Sequence, residues 1–96
     1  MFGRKRTGGR RTSSPFALSE EKLLEMRPWF DARVAKAAPG SRKLAGALTM
    51  RALAGQAAGD PEGAFADADA ALAIGGLKPA MERQATMALA RAVIAL

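Results

Sequence analysis

The residues whose type and spacing most directly suggest chemistry are five cations near the N-terminus. Arg4, Lys5, Arg6, Arg10 and Arg11 fall in MFGRKRTGGRRTSSP, which contains no acid. Clustered guanidinium and ammonium groups suit phosphate. Each neutralised phosphate releases condensed counterions, so such a segment tracks a nucleic-acid backbone without reading its bases. The charge is strongly segregated: residues 1–19 carry +5 of the net +6, while residues 20–96 set ten bases against nine acids. The high pI therefore describes a basic arm on a nearly neutral body. Gly3 to Gly9 does not make a phosphate loop, because the Gly-Lys-Ser/Thr ending and a preceding strand are both missing. Glycine raises the entropic cost of ordering the arm and its like charges repel, so residues 1–18 are expected to be disordered.

Other chemistries find little support. The chain has no His and no Cys, which removes disulfides, the usual zinc ligands, thiol nucleophiles and imidazole acid–base catalysis. Asp67 and Asp69 stand two apart on a helix, so they point to different sides and do not form a ready carboxylate pair. Glu20, Glu21 and Glu25 read as charges favoured near the start of a helix. We therefore expect no enzyme, no cofactor and no metal site. No apolar run approaches the roughly 18–20 residues that a membrane span needs. The longest candidate, Ala85 to Leu96, is interrupted by Arg91. Cysteine usage leaves the compartment open, and no apolar h-region follows the basic residues, so the expectation is a cytoplasmic protein.

The elements that must position any site are helical. No run of β-branched or aromatic residues alternates at period two. Of the 96 residues, 23 are alanine, so close helix packing has to compensate for small side chains. Gly59 to Gly76 carries the clearest signals: Asp60 as N-cap, Pro61 at the first helical position and Glu62 in the first turn. Ala64, Ala68, Ala71 and Leu72 then share a face with Phe65 beside it, and Gly75-Gly76 supplies a stop. Upstream, Ser19 caps a helix whose stripe is Leu23, Met26, Phe30, Val34 and Ala37. Pro28 within it forces a kink or a restart, and Trp29 and Phe30 are expected in the core. Pro39-Gly40 ends that element and Ser41 caps the next, Arg42 to Ala58, with Leu44, Leu48 and Ala52 in line. Gly46 and Gly55 in that helix are explained by close approach of a neighbour. A last helix runs from Pro79 to Leu96, with Met81, Ala85, Ala88, Leu89, Ala92 and Val93 as its stripe.

The helix pair from Ala45 to Gly76 resembles a tetratricopeptide repeat, a unit of about 34 residues built as helix, tight turn and helix. With Gly59 at the turn, Ala52, Ala64 and Ala71 take the small positions, and Leu72 and Ile74 the apolar ones. A further repeat length from Ala45 reaches Pro79, where the last helix begins. The likeness covers about one repeat and the first half of another. It departs at Arg51, where a large apolar residue belongs, at Gly55 in an aromatic position, and at Gly76 in place of the closing proline. The resemblance implies a helical stack whose first helices line a peptide-binding groove. On this register Thr49, Met50, Leu53, Gln56, Arg83, Gln84 and Met87 would face that groove, and Met50, Leu53 and Met87 suit an apolar helix or strand.

The expected fold is thus all-α: a small bundle or short solenoid of antiparallel helix pairs over residues 19–96. The leading functional expectation is a protein-interaction module that grips an apolar segment of a partner while the arm attaches electrostatically. A small RNA-binding, ribosome-associated protein acting through the arm is the alternative, and a structural component of a larger assembly is another. The last helix is expected to self-associate or to meet a partner. Its single stripe would bury Leu89, Val93 and Leu96, while Met87, Ala90 and Ile94 form a second apolar flank, with Met87 and Ile94 facing the partner.

Overall fold

A computed structural model describes residues 18–96, and among them all regular structure is helical. Five helices follow one another: α1 (Glu20–Glu25), α2 (Arg27–Lys36), α3 (Arg42–Ala57), α4 (Pro61–Ile74) and α5 (Pro79–Ala95). The protein is a small all-α bundle. α3 is its centre, packing on every other helix, and α4 lies between α3 and α5.

Local chemistry sets the boundaries. The Ser19 hydroxyl accepts from the Lys22 N–H at 3.1 Å, and Ser41 does the same for Leu44. Each satisfies an otherwise orphaned donor of a first turn. Pro28 restarts the helix rather than kinking it: α1 stops at Glu25, Met26 separates the two segments, and Pro28 falls in the first turn of α2. Between α2 and α3, Ser41 N–H donates to the Ala38 carbonyl at 3.1 Å across Pro39-Gly40, and Gly40 has φ 73°. Proline then a left-handed glycine is the pattern of a type II turn.

The α3–α4 turn is tighter. Gly59 has φ 75°, its N–H donates to the Gln56 carbonyl at 3.1 Å, and Asp60 N–H donates to the Gly55 carbonyl at 2.8 Å. These paired bonds form a Schellman motif, which closes the open carbonyls of α3. The Asp60 carboxylate meanwhile accepts from Gly63 N–H at 3.0 Å, so one residue finishes α3 and caps α4.

Packing rests on alanine. Ala52, Ala64, Ala68, Ala88 and Ala92 form one fully buried cluster where α3, α4 and α5 meet, with Leu53, Phe65 and Leu89 at its edges. Side chains this small let helix backbones approach closely, and dispersion between them replaces the area that leucines would bury. Leu23, Phe30 and Ala54 make a second cluster that seats α1 and α2 on α3. Ala45, Leu48 and Ala71 make a third at the other end. Thr49 is completely buried, and its hydroxyl donates to the Ala45 carbonyl at 2.9 Å, which satisfies it within its own helix.

Three expectations need correction. Trp29 is not core: it is 52% exposed while Phe30 is buried. Successive helical residues diverge by about 100°, so only one of the pair can face α3. The Trp29 ring instead holds Arg33 over its face at 4.8 Å and meets Phe30 edge-on at 5.7 Å. Gly46 has no neighbour within 4 Å of a Cβ built on it, so no close approach explains it. A Cβ on Gly55, by contrast, would touch the Ala64 backbone at 3.5 Å. In α5, finally, Ala85, Ala88 and Ala92 of the expected stripe are buried and Leu89 is half-buried, but Val93 and Leu96 are exposed. The small residues face the bundle because only they allow α5 to sit against α4.

Candidate functional site: a groove between α1, α3 and α5

An open groove of about 440 Å³ runs between the start of α1, the end of α3 and the end of α5. Leu53 and Ala57 from α3 contribute its apolar surface, Leu18 and Leu23 line the α1 side, and Ala92 and Ala95 the α5 side. Glu20, Asp60, Gln84 and Arg91 supply polar groups around it. Gln56 holds the two main walls together: its side-chain amide donates to the Ala88 carbonyl at 2.8 Å, joining α3 to α5. The groove therefore offers polar and apolar surface in comparable amounts, and its apolar part, at Leu18, Leu23, Leu53 and Ala57, is where an apolar side chain would sit.

The expected groove residues are only partly gathered here. Leu53, Gln56 and Gln84 line it. Thr49 is buried, and Met50 packs against the Leu23, Phe30 and Ala54 cluster beneath α1 and α2. Arg83 and Met87 lie elsewhere, exposed on α5. With Ile94, which is 85% exposed, they occupy one outward side of that helix. Their spacing of four and seven residues keeps them roughly in line. The five arm cations Arg4, Lys5, Arg6, Arg10 and Arg11 lie outside the described residues.

Leu18 and Leu23 were missed as groove residues. Their position depends on how α1 folds back over α3, and a six-residue helix leaves no periodic signal of its packing direction. A second missed feature is the charge network of Arg51. Its Nε and one terminal nitrogen each bond the Asp67 carboxylate at 2.9 Å, and the other terminal nitrogen reaches Asp31 at 3.4 Å. The Asp67 hydrogen bonds push the Arg51 guanidinium further above its ordinary value, against the desolvation that opposes it. The signal was present in the sequence: Arg51 is a charge within an alanine- and leucine-rich helix, and Asp67 interrupts another alanine-rich one. Arg51 belongs to the scaffold, because two carboxylates already use its donors.

No helix among the described residues is long and apolar enough to cross a membrane. No group of three or more acidic side chains among them is placed to hold a metal ion. No family model matches the chain, and neither a curated protein nor a solved structure matches it.

Proposed function

We propose that the chain is a non-enzymatic, cytoplasmic protein-interaction module that receives an apolar segment of a partner protein, with the basic N-terminal residues adding electrostatic attachment. The observation that carries this reading is the groove at Leu53, a concavity in which Leu18, Leu23, Leu53 and Ala57 gather apolar side chains among a comparable amount of polar surface. The tetratricopeptide resemblance supports it, since such a fold binds peptides along its first helices, here α3 and α5. Selection of peptides from a random display library against the full chain tests it. Selected peptides should carry apolar anchors, shift the methyl signals of Leu53 and Leu23, and lose binding when Ala57→Arg fills the groove. Peptides that bind without moving those methyl signals would place the function elsewhere.

The charge split favours a second reading, nucleic-acid binding through Arg4, Lys5, Arg6, Arg10 and Arg11. Salt separates the two, because phosphate contacts weaken steeply with salt while apolar groove binding does not.

A further inference from the structure

The groove has a candidate occupant within the chain itself. Its α1 wall begins with Leu18, and Phe16 precedes that residue by only two positions. Two peptide units span at most about 7 Å, so the chain connection tethers Phe16 within reach of the groove. Phe16 is also the only large apolar side chain of residues 3–17. The groove, at about 440 Å³, has room for its benzyl group beside Leu23, Leu53 and Ala57. Charge favours the same segment. Glu20 and Asp60 outweigh the one lining cation, Arg91, Glu20 makes no ion pair among the described residues, and Arg10 and Arg11 lie a few residues before Phe16.

We propose that Phe16 is a tethered ligand of the Leu53 groove, so that a partner segment must displace the chain's own N-terminal residues to bind. This rests on the reading of the groove as a protein-binding site and adds its regulation. The tether gives Phe16 an effective concentration in the millimolar range or above, which a free partner has to overcome. Displacement also frees the basic residues next to Phe16, so groove occupancy and availability of Arg10 and Arg11 to phosphate rise together. Trans ligands of the groove should copy the pattern: an aromatic anchor with basic residues to its N-terminal side.

The test uses the full chain with methyl and aromatic labelling. Nuclear Overhauser contacts are expected from the Phe16 ring to Leu23 and Leu53 methyl groups, unchanged on dilution. Binding of the apolar dye 1-anilinonaphthalene-8-sulfonate should strengthen about five- to tenfold in Phe16→Ala, if the docked state holds roughly eight to nine tenths of the population. Phe2→Ala should leave dye binding as in the natural chain. Contacts that fade on dilution would mean that a second copy supplies Phe16, which overturns the tethered form. Absent contacts and an unchanged dye affinity, with the dye still shifting the Leu53 methyl signals, would overturn the occupant and leave the groove reading standing. A dye that moves neither Leu23 nor Leu53 signals in Phe16→Ala would overturn both.

Discussion

The α3–α4 hairpin and α5 are made of nearly the same residues and present opposite surfaces. Both bury a stripe of alanines: Ala52, Ala64 and Ala68 in the hairpin, Ala85, Ala88 and Ala92 in α5. In the hairpin, the groups left over are tied down. Asp67 grips Arg51, Asp60 serves both helices, and Phe65 folds onto the shared cluster. In α5 the leftover groups are Met87, Val93, Ile94 and Leu96, all more than a third exposed. An alanine stripe brings backbones together but uses little of the apolar side-chain volume that a helix carries. Where a second neighbour covers the rest, the helix becomes scaffold. Where none does, it becomes a surface with interaction capacity.

The sharpest way to break this comparison is to make the same substitution on the two sides. Ala68 is completely buried between α3 and α5. Ala68→Leu forces three extra carbons into a packed interface and should destabilise the protein by about 2–3 kcal/mol. Ala90→Leu, on the exposed side of α5, should change stability by no more than about 0.5 kcal/mol. Urea unfolding of both variants decides it. Equal losses would mean that the exposed side of α5 is packed in solution.

The next effect is smaller and concerns how the hairpin is tied. Asp67→Ala removes two charged hydrogen bonds and leaves the Arg51 guanidinium, 31% exposed, without its main partner. A cost of about 1.5–2.5 kcal/mol is expected, discounted for the solvent that still reaches Arg51. Asp31→Ala removes one long contact from a carboxylate that is 63% exposed, and should cost at most about 0.5 kcal/mol. Thermal melting of the two variants checks the ratio. Equivalent losses would show that Arg51 serves α2 as much as α4.

These interactions also mark what the sequence could reveal. Helix ends were readable because each depends on one or two local residues: Ser19, Ser41, Asp60-Pro61, Gly59 and Gly75 all act within a turn of where they stand. The restart at Pro28 was equally local. Which side of each helix faces inward was harder. In α5 the spacing placed Ala85, Ala88 and Ala92 inward, but every face carries apolar residues, so Val93 and Leu96 were expected in the core as well and are exposed. Trp29 failed for a related reason: size suggested burial, but Phe30 took the only inward direction. Of the seven residues that the tetratricopeptide resemblance assigned to a groove, only Leu53, Gln56 and Gln84 line this one. Its α1 wall was not legible, because the docking of a short helix is decided by tertiary contacts alone.

The mildest effect on stability, and the most informative about the exposed side of α5, comes from Met87→Glu with Ile94→Glu. Met87 is 39% exposed and Ile94 85% exposed, so neither substitution buries a carboxylate. One turn and three turns beyond Arg83, the new charges also meet a helix surface whose nearest cations are Arg83 and Arg91. Folding free energy should therefore change by no more than about 0.5 kcal/mol. Association should respond very differently. If the surface at Met87 and Ile94 meets a second copy or a partner, two carboxylates must be desolvated against apolar groups, at a cost of several kcal/mol that removes the complex. Light scattering across a concentration series, run beside thermal melting, separates the outcomes. A natural chain that self-associates and a double variant that is monomeric and equally stable would assign the surface to association. A natural chain that stays monomeric while the double variant melts well below it would make Met87 and Ile94 structural, and α5 would then resemble the hairpin instead of contrasting with it.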